Sequence, residues 1–133
     1  MLLKSVCYKL RQTAEMLIVR KEQLLALGDD IRRRWVGDHL AEYFPEQYSV
    51  LPVSERADFL SGAIRRATVL GLTSDTGICL FATLALLLGP HFDRDPKLPW
   101  VSGILHDEGA RSADERIEIV YDEAARYLSA AQE

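Results

Sequence analysis

At 133 residues, with 48% hydrophobic and 27% charged side chains, the chain has the size and balance of one soluble globular domain. A net charge of -4 lacks the basic excess of a nucleic-acid binder, and the apolar content excludes a disordered chain. Two cysteines, Cys7 and Cys79, are too few for a disulfide framework and read as reduced thiols of a cytoplasmic protein.

The first residues do not read as a secretory signal, because Lys4 and Lys9 break the apolar stretch and no small-residue cleavage site follows. The longest apolar run, 78–88, is about half of what a membrane span requires. A protein that stays in the cytoplasm, without membrane insertion, is therefore expected.

Leu2, Leu3, Val6, Leu10, Ala14 and Leu17 recur at helical spacing and predict an amphipathic helix over 1–17. Met16 as an internal start would make that segment an N-terminal extension. Residues 21–44 form the first strong helix. Leu24, Leu27, Ile31, Trp35 and Leu40 lie near one stripe, which Val36, Tyr43 and Phe44 widen. Gly28 and Gly37 each cost about 1 kcal/mol relative to Ala in a helix interior and predict a bend or break. Pro45 ends the helix, since the residue before a proline is pushed out of helical geometry.

Residues 46–53 read as a connector. Ser54 is the expected N-cap of the next helix, with Glu55 and Asp58 in the first turn, where the helix dipole favours acids. Leu60, Ala63, Ile64, Ala67 and Leu70 make a narrow stripe whose small residues admit a close neighbour. Gly71 is placed to end the helix in a left-handed conformation. Thr73 or Ser74 can cap the next helix, 75–88, which is apolar on almost every side and so is expected to be buried. Gly89 and Pro90 stop it.

In the turn segment 91–99, Phe92 and Leu98 are expected to pin the chain to the core, while Asp93 and Asp95 suit turn and capping geometry. Pro99 fits the first position of a short helix over 100–105. Ser112 and Glu115 match a capping box for a last helix to about residue 130, with Ile117, Val120, Tyr121, Ala124 and Leu128 on one face and a frayed tail, 131–133. No segment shows strand alternation. The expected architecture is all-α, one domain over 1–133: a compact bundle of about five main helices around a buried central helix at about 75–88, with a short helix after Pro99.

The residues that could carry chemistry have structural readings. Cys79 with His91 would make a nucleophile and base, but Cys79 lies mid-way along the most apolar helix, where a thiol behaves as a small hydrophobe. Asp93 and Asp95 resemble the start of a calcium loop that lacks its sharp-turn glycine and closing glutamate. His39, His91 and His106 are scattered, without the i, i+4 spacing of a helical zinc site, and His39 reads as a core histidine. The acids lie on faces expected to be solvated, and no phosphate-binding loop is present. Arg65 and Arg66 with the Arg32–Arg34 run could form a basic strip, but no aromatics are interleaved. No catalytic residue, metal ligand or cofactor is expected.

What remains is surface. Arg32, Arg33 and Arg34 read first as a solvated face beside Asp29, Asp30 and Asp38. Tryptophan is enriched at binding hot spots, so Trp100 is either a contact or a core plug, and Tyr43, Tyr48 and Tyr127 share that ambiguity. A partner-binding surface is expected to draw on Trp100, Phe92, Arg32, Arg33 and Tyr43.

The order of several signals resembles a family. Tyr43-Phe44-Pro45-Glu46 ends a helix. Arg65-Arg66-Ala67 precedes Gly71-Leu72-Thr73-Ser74. After the apolar helix come Leu88-Gly89-Pro90-His91-Phe92-Asp93-Arg94-Asp95-Pro96, Leu98-Pro99-Trp100, Ile104-Leu105 and Glu115-Arg116-Ile117. Over 17–128 this is similar to small bacterial proteins encoded beside type VI secretion spike, adaptor-chaperone and effector genes. The resemblance implies a co-chaperone or accessory factor that binds the adaptor chaperone or the effector before loading on the spike, without catalysis. The alternative is an immunity protein that neutralises a toxin, for which an acidic chain suits steering toward a basic nuclease.

Overall fold

A computed structural model describes residues 29–107, 109 and 111–130. The expected helix over 1–17, the first part of the 21–44 helix, Cys7 and the tail lie outside the described residues. Six α-helices and one 3-10 turn are present among the described residues, with no strand: α1 (Asp29–Tyr43), α2 (Pro45–Val50), α3 (Val53–Val69), α4 (Asp75–Leu88), the turn Phe92–Arg94, α5 (Pro99–Leu105) and α6 (Ala113–Ala130). The all-α expectation holds.

α4 is the centre, as its composition requires. From Asp75 through Ala85 it is buried without a break, and it packs against α1, α2, α3, α6 and the 3-10 turn. Fully burying a side chain such as Leu84 or Phe81 contributes about 1.5–3 kcal/mol, so this helix anchors the others. Its ends are set locally. The Ser74 Oγ accepts from the Gly77 N–H at 2.9 Å, and Gly89 leaves the helix at φ +116°.

The turn before α4 is equally local in origin. Leu72 N–H donates to the Ala67 carbonyl and Gly71 N–H to the Thr68 carbonyl, at 3.1 and 3.0 Å, with Gly71 at φ +96°. This pair of bonds is the Schellman ending of α3. The α3 stripe buries Leu60, Ala63 and Ala67 as expected. On α6 the five anticipated residues are all buried, and Ser112 and Glu115 form the cap: the Glu115 N–H donates to the Ser112 Oγ, which in turn donates to Glu115 Oε1, both at 3.2 Å.

Three expectations about the first half of the chain need correction. Gly37 does not break α1, which runs through it to Tyr43. Its missing side chain matters for packing, because a Cβ there would lie 3.0 Å from Leu60 Cδ1 and 3.2 Å from the Tyr48 hydroxyl. The buried apolar residues here are Val36 and Leu40 of α1 and Phe44 just beyond it, while Ile31 is 53% exposed. Second, Pro45 ends α1 but also starts α2 at its N1 position, so 46–53 is not merely a connector. Third, α3 begins two residues earlier than expected, at Val53 with Pro52 as its cap. The Glu55 N–H donates to the Pro52 carbonyl at 2.9 Å.

Candidate protein-binding surface

Polar side chains gather in three places: two of them hold the fold together, and one faces water. The first is the N-terminal end of α4. Asp75 is 1% exposed and its Oδ1 accepts from the Arg32 Nε of α1, whose side chain is 19% exposed. Asp75 Oδ2 is buried with no hydrogen-bond partner among the described residues. Beside this pair, Asp114 reaches over from the first turn of α6. Its Oδ1 accepts from Ser74 Oγ at 2.7 Å and its Oδ2 from Thr73 Oγ1 at 3.1 Å. The carboxylate thus lies over the positive end of α4, where the helix dipole favours an anion. Gly77 admits it, since a Cβ there would stand 2.3 Å from Asp114 Oδ1.

The second place is the far end of α4. Arg66 of α3 donates to the buried Asp93 at 2.6 Å, and its guanidinium lies 5.5 Å from the centre of the Phe81 ring. Asp93 is therefore an internal ion-pair partner as well as a turn residue. Cys79, between the two ends, is fully buried. Burial pushes its thiol pKa up, the nearby Asp75 charge adds to that, and a hydrogen bond with Thr83 opposes it. Such a thiol carries no thiolate near neutral pH and stands in the core as an inert hydrophobe.

The third place is a groove of about 610 Å³ between α1 and α3, to which α2 contributes Tyr48. Arg33, Arg34 and Asp38 line it from α1, Tyr48 from α2, and Val53, Arg56 and Leu60 from α3. Arg33 Nη1 donates to Ser61 Oγ at 3.2 Å, spanning the two helices. Arg56 is held by two contacts: its Nε donates to the Leu51 carbonyl at 3.1 Å, and its guanidinium lies 5.0 Å from the centre of the Tyr48 ring. Burial raises the Tyr48 phenol pKa, with the Arg56 charge opposing the shift, so the hydroxyl remains a proton donor. Val53, which lines the groove, is 77% exposed.

The five residues expected to contact a partner do not converge. Phe92 is a correction: it is fully buried, its ring 4.9 Å from that of Phe81, because the turn after α4 must cover the end of that helix. Arg32 is the second correction, since its guanidinium points inward to Asp75 instead of joining Arg33 on a basic face. Trp100 is half-buried on α5 and stacks at 5.8 Å on the exposed Tyr127 of α6. Tyr43 is half-buried, its ring 4.7 Å from that of the buried His39, which lies 5.8 Å from that of Trp35 in turn. Only Arg33 lies in the groove. Arg34, Tyr48, Val53 and Arg56 were not anticipated there. The i, i+4 proximity of Arg34 to Asp38 hinted at a shared face, but the opposite wall depends on α2.

Among the described residues no group of three or more His, Cys, Asp or Glu could hold a metal ion, and no helix is long and apolar enough to cross a membrane. Comparison with protein-family models, with curated proteins and with solved structures returns no match.

Proposed function

We propose that this chain is a non-catalytic accessory protein of the cytoplasm, which binds a type VI secretion adaptor chaperone or its effector before loading on the spike. The observation that carries the binding half of this reading is the α1–α3 groove. It combines Arg33 and Arg56, held in place by neighbours, with the exposed Val53, a mixture suited to a protein segment. The secretion half rests on the order of motifs from Tyr43 through Ile117. Co-expression with the neighbouring adaptor and effector, followed by affinity purification and size-exclusion chromatography, tests it. Co-elution with either supports the reading, and elution apart from both defeats it.

A second reading, an immunity protein, is favoured by the charge of the chain. It holds 16 Lys and Arg against 20 Asp and Glu, a net charge of -4. An acidic surface of that kind steers toward a basic toxin. The two readings separate by phenotype: an immunity protein protects cells that express the toxin, whereas a loading factor alters secretion without protecting them.

A further inference from the structure

We infer that the α1–α3 groove is a docking site for an acidic segment of a protein partner, a short stretch carrying Asp or Glu beside an aliphatic side chain. This deepens the proposed binding role and rests on it. The argument starts from charge. The chain has a net charge of -4, yet the groove lining holds three arginines, Arg33, Arg34 and Arg56, against the single acid Asp38. A basic lining on a net acidic chain favours a negative ligand there. Residues 1–28 are net basic, with five Lys and Arg against two Glu, and so lack the charge that this groove complements.

The geometry favours a carboxylate-bearing peptide over other anions. Guanidinium groups bind carboxylates and phosphates through paired hydrogen bonds, so charge alone does not choose between them. The volume, about 610 Å³, exceeds what a lone phosphate fills. Val53, 77% exposed, and Ala57 on the wall offer apolar contact that a phosphate or a nucleic-acid backbone does not use. The aromatic side chain of the groove, Tyr48, is buried beneath Arg56 and presents no platform for base stacking. An acidic residue between Arg34 and Arg56, with a neighbouring leucine or valine against Val53, satisfies both the charge and the apolar wall.

The test uses the full chain and a fluorescent octapeptide alternating glutamate and leucine, read by anisotropy. Saturable binding that weakens as salt rises is expected. Arg34→Glu and Arg56→Glu should each weaken it about tenfold or more, as loss of a charge-assisted contact requires. Arg65→Glu, exposed on α3 outside the groove, should leave it unchanged. Arg34 is exposed, so its variant folds even if the Arg56 variant does not. Equal binding of a lysine–leucine octapeptide, indifference to Arg34→Glu, or displacement of the peptide by oligothymidylate or inorganic phosphate at lower concentration than by unlabelled peptide overturns the inference. Co-elution of the adaptor or effector with the Arg34→Glu chain as well as with the wild type would overturn the groove while keeping the accessory role. Peptide binding without any co-elution would keep the groove and defeat the secretion reading.

Discussion

The N-terminal end of α4 and the groove between α1 and α3 share one helix, α1, and draw on the same run of three arginines in opposite ways. Successive residues on a helix point about 100° apart, so a run of like charges is divided among faces. Arg32 turns inward and meets the buried Asp75. Arg33 crosses to Ser61 at the groove, and Arg34 is exposed. The pair on α3 divides in the same manner, with Arg66 on Asp93 and Arg65 exposed. A basic run in sequence is therefore not a surface motif as a whole. Each member's role depends on whether an acid from another element waits at its angle.

The largest expected effect follows from that division. Arg32→Met keeps the aliphatic stem and removes the charge, leaving the nearly inaccessible Asp75 without its guanidinium. Breaking a buried ion pair in this way costs about 3 kcal/mol or somewhat more. Urea denaturation should show that loss. So should alkylation of Cys79 in a Cys7→Ser background, which requires opening of the core and should speed up about a hundredfold for 3 kcal/mol. Arg66→Met should cost less, about 2 kcal/mol, since its side chain is 27% exposed and its pair is nearer water. Equal costs for Arg32→Met and Arg34→Met would break the comparison.

A smaller effect sharpens what the α4 end depends on. Gly77→Ala places a Cβ where the Asp114 carboxylate now lies, so the carboxylate must leave its hydroxyl partners on Thr73 and Ser74. The expected cost is about 1–2 kcal/mol, the usual size of a lost cap. In an Asp114→Ala background the same substitution should cost clearly less, because the carboxylate is gone, Ala is the better helix former, and only the looser contacts with Ser74 Oγ at 3.1 Å and Leu72 Cδ2 at 3.2 Å remain. A double-mutant cycle measured by thermal or urea unfolding reads this coupling directly. Additive costs would show that Gly77 is needed for something other than Asp114.

What the sequence made legible were features whose causes lie within a few residues. Gly71, Ser74, Gly89, Pro99 and Ser112 mark helix ends through local backbone and capping chemistry, and each stands where expected. The apolar run of α4 and the α6 face were readable because periodicity alone decides them. The rest depends on distance. Arg32 and Asp75 are 43 residues apart, and Arg66 and Asp93 are 27 apart. No local rule pairs them, so these residues read as a solvated run and as turn formers. Trp35 and Ile31 looked central to α1, but Trp35 is half-buried and Ile31 exposed, while Val36 and Leu40 are fully buried. The groove was out of reach for a related reason. Its lining includes Tyr48 of α2, and a proline that stops one helix while starting another reads in sequence only as a stop.

The smallest expected effect is the one that tests the groove as a surface without structural duty. Arg34 is exposed, and its nearest sequence partner on the same face, Asp38, stands four residues later. A pair in that spacing contributes about 0.2–0.5 kcal/mol, and less in this order than with the acid first. Against it stands repulsion from Arg33 and Arg56 across the same groove. Arg34→Met should therefore change stability by no more than about 0.5 kcal/mol in either direction, as a surface substitution does. At low salt, where exposed charges feel one another over a longer range, the net acidic chain favours keeping the cation, so the balance should tip toward slight destabilisation, and added salt should erase it. Urea unfolding at two ionic strengths decides the matter. A loss near that of Arg32→Met would mean that Arg34 helps hold α1 against α3. A groove whose arginines can be removed without cost to the fold, by contrast, has its charge available for a ligand.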